Sequence, residues 1–165
     1  MKRSTWKNWI PAMIGIVLMA SCSSSKKATV AKRNDVKGTW TLSQISYEGL
    51  ATNERLRLIL LDEGSEACLT GTTWVLPNNG YGSYTITSNS AGCVPGKKNI
   101  VWSYREEGSQ AIFQYKLLPG GEKAKDITEG YKFNIVSASS NSMVLQTQIS
   151  YQGNPVFINY SFSKP

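Results

Sequence analysis

The sequence has 165 residues, a formal net charge of +7 and no histidine. The lack of histidine removes the commonest general base and excludes Ser-His-Asp and Cys-His catalytic arrangements. The basic residues are scattered along the chain, which argues against a nucleic-acid partner, since such proteins cluster their cations on one face. We therefore expect a non-enzymatic protein without a cofactor.

Residues 1–21 carry the pattern of a secretory signal. Lys2, Arg3 and Lys7 precede an apolar run that ends at Ala20. About eleven apolar residues are too few for a membrane-spanning helix, which needs about 20. The alternative is a buried N-terminal helix. Removal of the signal takes away three cations and lowers the formal charge from +7 to +4 (7 − 3).

The end of the apolar run, Met19-Ala20-Ser21-Cys22, resembles a bacterial lipobox. This resemblance implies cleavage before Cys22 and attachment of lipid to its thiol. Several acyl chains hold a protein on a bilayer far more firmly than one. The alternative is an ordinary secreted protein in which Cys22 has no special role.

Residues 22–36 are polar and without apolar periodicity, and they predict a lipidated, flexible tether. In Bacteroidetes lipoproteins, acidic residues just after the lipidated cysteine are associated with export to the cell surface. The segment Ser23-Ser24-Ser25-Lys26-Lys27 contains none. By that resemblance we expect an outer-membrane lipoprotein that faces the periplasm.

Cys68 and Cys93 are the cysteines that remain once Cys22 carries lipid. In an oxidising compartment two thiols usually pair, which favours a disulfide between them. The alternative is two free, buried thiols. Two cysteines without histidine do not complete an ordinary zinc coordination sphere, so no metal site is expected.

From Lys37 onward, apolar residues alternate with polar ones and are separated by turn residues. Pro77-Asn78-Asn79-Gly80 is a hairpin signal, because Asn-Gly accepts the positive φ that tight turns need. The pattern predicts strands at residues 37–47, 72–76, 82–87, 100–104, 113–117, 131–135, 143–151 and 156–162.

Residues 55–61 fit two interpretations. Leu56, Leu58 and Leu60 alternate as in a strand, which we favour, whereas Asn53 is suited to cap a short helix over the same residues. The chain then has eight or nine short strands and no crossover helix, so the sheet is expected to be antiparallel. It closes as a barrel or packs as a sandwich, since open sheet edges invite aggregation.

The motif Gly38-Thr39-Trp40 on the first strand resembles that of the lipocalins. With the lipobox, the tether and a Cys68…Cys93 pair that brackets a hairpin, the chain resembles the lipocalin-like lipoproteins of Bacteroidetes. The resemblance implies an all-β, antiparallel up-and-down barrel of eight or nine strands over residues 37–165, either closed or partly open or plugged. Trp40 is expected to fill one end of it, with Lys164 in place of the usual arginine.

Two functions follow from this resemblance. The first is a membrane-anchored module that holds a small hydrophobic or amphipathic ligand. The second is a structural lipoprotein that docks on an envelope protein complex, with its barrel filled by its own side chains. Acidic residues such as Asp62 and Glu63 lie in turns and are expected to be solvated. The candidate ligand-facing residues are aromatic: Trp74, Tyr84, Trp102, Tyr104, Phe113, Tyr115 and Phe133.

The lipid anchor is tested by the substitution Cys22→Ala. Without the thiol there is no acceptor for lipid, so the protein is expected to move from the membrane fraction to the soluble fraction of lysed cells. Fractionation followed by immunoblotting measures this shift. An unchanged membrane fraction would show that the lipobox interpretation is wrong.

Overall fold

The structure, a computed structural model, describes residues 30–50, 56, 58–120 and 123–165. Cys22 and the predicted signal lie outside these ranges. Two short helices, α1 (Arg33–Val36) and α2 (Glu66–Leu69), and a 3₁₀ turn (Ala124–Asp126) accompany the strands. The eight strands are β1 (Gly38–Glu48), β2 (Thr73–Leu76), β3 (Tyr81–Ile86), β4 (Gly96–Glu107), β5 (Gln110–Leu117), β6 (Tyr131–Ala138), β7 (Ser142–Tyr151) and β8 (Asn154–Ser163).

Each strand pairs in antiparallel fashion with its neighbours along the chain, and β8 returns to pair with β1. The β1–β8 register runs from Thr41 opposite Ser163 to Glu48 opposite Phe157. The prediction of an all-β, antiparallel up-and-down barrel is thereby confirmed, and the barrel is closed. Closure gives every strand of the barrel a partner strand on both sides, which restricts the usual route to edge-to-edge aggregation.

Alternation along the strands sets which side chains fill the barrel. On β4, Ile100 and Trp102 are buried while Val101 and Ser103 are not. Trp102 lies opposite Tyr115 on β5, which lies opposite Tyr131 on β6. Because side chains on directly opposite residues share one face of a sheet, these aromatic residues meet inside the barrel.

The predicted hairpin between β2 and β3 is present, with Gly80 at φ 84°. The amide of Gly80 donates to the carbonyl of Pro77 at 3.1 Å, and the Asn79 side chain accepts from the amide of Tyr81 at 3.0 Å. The asparagine therefore ties the turn to the strand that follows. The sequence signal rested on this local chemistry, which explains why it was reliable.

The strand favoured at residues 55–61 is wrong for the residues that the structure describes there. Leu58 and Ile59 have no regular structure, and Leu60 forms only an isolated bridge with Gly64. Leu60 and Leu61 are buried in the same cluster as the barrel interior. These two leucines are apolar because they cover the end of the barrel. Local periodicity does not distinguish such a cover from a strand.

The two ends of the barrel differ. The end where β1 begins, here called the capped end, is covered by α1, whose Val36 is fully buried. The Trp40 indole donates to the Val36 carbonyl at 2.7 Å, and the Lys164 ammonium lies 4.5 Å from the centre of the Trp40 ring. This confirms the role expected for Lys164 and places residues 30–36, predicted as the end of the tether, against the barrel.

The opposite end, here called the mouth, is where β1 ends and β2 begins. It carries the long connections β1–β2, β3–β4 and β5–β6. No helix in the described ranges has the length and apolar character needed to cross a membrane.

Gly82 on β3 is the position where close packing is most sensitive to a single methyl group. A Cβ there would lie 2.4 Å from the Val75 carbonyl oxygen and 3.4 Å from the Trp102 ring. We expect Gly82→Ala to lower the free energy of unfolding by about 1–3 kcal/mol through overpacking. Gly120→Ala is the control, because nothing lies within 4 Å of its Cβ. Urea denaturation measures both, and equal stability of the two variants would contradict the packing described.

Candidate functional site

Six of the seven candidate ligand-facing residues fill the middle of the barrel. They are no more than 3% exposed, and their rings contact one another, from 4.6 Å between the centres of Trp74 and Tyr84 to 6.2 Å between those of Phe113 and Tyr115. An eight-stranded barrel has room for side chains or one small ligand. In this structure side chains occupy the centre. The six are Trp74, Tyr84, Trp102, Phe113, Tyr115 and Phe133.

The seventh, Tyr104, lies at the capped end. It is half-buried, and its hydroxyl contacts the Ala31 carbonyl at 2.5 Å and the Glu106 carboxylate at 2.8 Å. Burial, followed by the hydrogen bond to Glu106, raises the pKa of Tyr104 to about 12. Tyr104 therefore fastens the N-terminal segment to the barrel, and the structure does not group it with the residues nearest the mouth.

The mouth is covered by a stretch of the β1–β2 connection, residues 60–69, here called the mouth segment. Leu60, Leu61 and Leu69 are buried in one cluster with the aromatic residues of the interior. The segment makes a tight turn in which the amide of Leu60 donates to the Gly64 carbonyl at 2.7 Å. It ends in α2, which carries Cys68.

The disulfide between Cys68 and Cys93 is present and confirms the predicted pairing. It joins the mouth segment to the β3–β4 connection, and Cys68 is buried. Cross-linking a loop of this length contributes on the order of 3 kcal/mol to stability. The covalent bond therefore holds one end of the mouth segment against the barrel.

Two carboxylates of the mouth segment contact polar groups of the barrel. The Tyr84 hydroxyl donates to Glu63 Oε1 at 2.5 Å, and Lys98 Nζ lies 3.7 Å from Glu63 Oε2. The Tyr131 hydroxyl contacts Asp62 Oδ2 at 2.5 Å. Burial, followed by these hydrogen bonds to carboxylates, raises the pKa of Tyr84 and that of Tyr131. Both phenols thus stay protonated and able to donate at neutral pH.

The Glu63 side chain is 7% exposed, so the expectation of a solvated turn charge is wrong for this residue. A buried carboxylate is stable only where donors surround it, as Tyr84 and Lys98 do here. Lys98 and Tyr131 also belong to this site, although neither is among the predicted ligand-facing residues. The sequence feature that could have indicated this site is the Asp62-Glu63 pair directly after a run of leucines, since it places two carboxylates beside apolar residues that are buried.

The Tyr115 hydroxyl is buried without a hydrogen-bond partner among the residues that the structure describes. The residue is 1% exposed, and its ring stacks on that of Tyr131 with centres 4.8 Å apart. Burial, followed by the charges of neighbouring groups that include Tyr84 and Glu63, raises the pKa of Tyr115 well above its usual value. An unpaired buried hydroxyl is rare in folded proteins and calls for an explanation.

A cleft of about 350 Å³ opens beside the mouth segment. Asp62 lines it on one side, and Leu117, Ile127 and Tyr131 line it on the others. It therefore joins apolar side chains to the polar groups of the mouth. Within the described ranges, no group of three or more His, Cys, Asp or Glu residues is placed to hold a metal ion.

A closed, eight-stranded antiparallel barrel with one capped end and one covered mouth is the architecture of small binding barrels. The family model for the lipocalin-like domain matches residues 36–145. The chain therefore belongs to the lipocalin-like domain family, whose members are generally binding proteins and not enzymes.

A crystal structure of a lipocalin-like protein from Bacteroides uniformis is similar to this chain at 17% sequence identity and a TM-score of 0.46. The similarity covers 79% of this chain and 99% of that one. No curated protein matches the chain.

Loss of the hydroxyl is expected to have opposite effects on stability at the buried Tyr84 and Tyr115. Tyr115→Phe removes an unpaired polar group, so the free energy of unfolding is expected to rise by about 1 kcal/mol or more. Tyr84→Phe leaves Glu63 without a donor and is expected to lower it by about 2 kcal/mol. Chemical denaturation of both variants checks the contrast. A Tyr115→Phe variant as unstable as Tyr84→Phe would show that the Tyr115 hydroxyl is paired.

Proposed function

We propose that the protein is a membrane-anchored binding module that holds a small hydrophobic or amphipathic ligand at the outer membrane, facing the periplasm. Membership of the lipocalin-like family supports ligand binding. The signal and lipobox patterns before Cys22 support the anchor. The lack of histidine supports a non-enzymatic role, because chemistry at neutral pH most often relies on that side chain.

The observation that carries the proposal is the Tyr115 hydroxyl beneath the mouth, which has no partner in the described part of the chain. Ligand sites are mostly apolar and contain a few polar groups that orient the ligand. Here aromatic rings supply the apolar surroundings, and Tyr84, Tyr115 and Tyr131 place three hydroxyl groups at one end of them. A ligand with an apolar body and a polar head matches this arrangement.

The anchor and the mouth lie at opposite ends of the domain under this proposal. Val30 packs against the core beside α1, and Ala31 contacts Tyr104, so the N-terminal segment reaches the barrel at the capped end. The stretch from Cys22 to Val30 spans at most about 28 Å when extended. The capped end would then lie near the bilayer, and the mouth would face the aqueous periplasm.

A second function is favoured by the dense packing of the interior. The rings of Trp74, Tyr84 and Tyr115 contact one another directly in the centre of the barrel. A barrel filled in this way suits a structural lipoprotein that docks on an envelope protein complex through its outer surface. In that case no ligand enters the barrel.

Native mass spectrometry of the full chain purified from membranes tests the choice between the two functions. We expect a lipid-sized adduct in addition to the mass of the covalent anchor, because a binding module retains part of its ligand through purification. The control is Val136→Ser, which changes an exposed side chain on the outside of the barrel and is expected to leave the adduct in place. Absence of any adduct, together with a protein partner in a cross-linked pull-down, would favour the docking function.

A further inference from the structure

Four side chains, one on each of four consecutive strands, direct their polar ends toward the mouth. Tyr84 on β3 is directly opposite Lys98 on β4, and Tyr115 on β5 is directly opposite Tyr131 on β6. Each can donate a hydrogen bond at neutral pH, and none carries negative charge. The barrel therefore presents a group of donors suited to a negatively charged acceptor.

The mouth segment supplies that acceptor from within the chain. Glu63 accepts a hydrogen bond from Tyr84 and lies at ion-pair distance from Lys98, and Asp62 accepts from Tyr131. Leu60 and Leu61, just before these carboxylates, are buried among the aromatic residues of the barrel. The segment therefore resembles an amphipathic acid: Glu63 supplies the carboxylate, Leu60 and Leu61 supply the aliphatic part, and both parts are buried.

The fit of the segment to the barrel is incomplete in two respects. The Tyr115 hydroxyl receives no acceptor from it. In addition, Leu61 and Asp62 have φ angles of 54° and 57°, in the left-handed region that is unfavourable for residues with a Cβ. A free molecule with the same chemistry would satisfy the donors without such a backbone conformation.

We propose that residues 60–64 occupy the head-group subsite for an amphipathic carboxylic acid, and that such a ligand binds by displacing them. The inference rests on the proposed function of ligand binding and names its chemical class. The ligand carboxylate takes the place of Glu63 against Tyr84 and Lys98 and accepts from Tyr115. Its apolar part takes the place of Leu60 and Leu61.

The surroundings of the segment are suited to displacement. The Cys68–Cys93 disulfide keeps the far end of the mouth segment attached while residues 60–64 move out. The cleft lined by Asp62 and Tyr131 adjoins the segment and gives an amphiphile a place to enter. The apparent association constant of the ligand then equals the intrinsic constant multiplied by the fraction of molecules in which the segment is displaced.

The test compares two probes that differ only in the head group, ω-bromododecanoic acid and ω-bromododecanol. The full chain is embedded in phospholipid discs, and contact of the bromine with the interior is measured as quenching of tryptophan fluorescence. Both probes also partition into the phospholipid itself. Discs without the protein measure this partitioning, which is the same background for every variant. Trp74 and Trp102 lie in the interior and report entry of either probe.

Three variants give distinct expected results. Glu63→Gln weakens the cover and is expected to raise the affinity for both probes by a similar factor, about tenfold. Lys98→Met is expected to reduce the preference for the acid over the alcohol by about tenfold or more. Tyr115→Phe is expected to weaken binding of the acid although it does not destabilise the fold, which separates loss of binding from unfolding.

Matched controls use exposed neighbours of the same charge. Glu66 lies three residues after Glu63 on the mouth segment, and Lys97 lies next to Lys98. Both are exposed, and the control variants are Glu66→Gln and Lys97→Met. Neither substitution is expected to change quenching. Butanoate, which has the carboxylate and almost no tail, is expected not to compete with the acid probe.

The outcomes separate this inference from the function on which it rests. Absence of quenching by both probes, in the native chain and in Glu63→Gln, would overturn ligand binding itself. Equal binding of acid and alcohol, with no effect of Glu63→Gln, would leave ligand binding intact and overturn displacement of the segment by an acid. Competition by butanoate as strong as that of the long acid would overturn the amphipathic class.

Discussion

The interior volume of an eight-stranded barrel is the constraint on which the rest of this structure depends. That volume must be filled, because an empty apolar cavity forfeits the contacts of every atom that lines it. Here stacked and edge-on aromatic rings fill the centre, and leucines of the β1–β2 connection fill the mouth. The two ends are closed in different ways: α1 and Trp40 close one through a hydrogen bond and a cation–π contact, and a loop with the buried carboxylate of Glu63 closes the other.

The hydrogen bonding of polar atoms inside the barrel distinguishes permanent core from the part of the interior that a ligand could replace. Trp40 and Trp74 each pair their indole N–H with a nearby oxygen, and such satisfied groups indicate permanent core. Glu63 is paired too, but with groups on β3 and β4 that do not belong to its own connection. Tyr115 is unpaired. At the capped end the buried Trp40 N–H is hydrogen-bonded, as in a permanent core. At the mouth, a buried carboxylate lies close to a hydroxyl that has no partner within the described ranges.

The strands were predictable because their signals are local. Alternation at Ile100 and Trp102 and the Asn79-Gly80 turn depend only on residues close in sequence, and the structure bears both out. Closure by β1–β8 pairing depends on a contact between the two ends of the domain, and only resemblance to a known family favoured a barrel over a sandwich. The burial of Glu63 was not predictable, since its partners Tyr84 and Lys98 lie on strands more than twenty residues away. For the same reason the leucines at 56–60 were assigned to a strand: periodicity records which residues are apolar, not which surface they cover.

The position of Lys164 over Trp40 has a practical consequence. It holds the end of β8 against the point where β1 begins, so both ends of the domain emerge on one side of the barrel. A fluorescent protein or affinity tag fused after Pro165 would share that side with the N-terminal segment and crowd whatever surface lies there. An insertion into the β7–β8 turn at Gln152 and Gly153 would instead project from the opposite side, at a tight turn whose backbone is exposed. The geometry of the last strand thus decides on which side of the barrel a label lies.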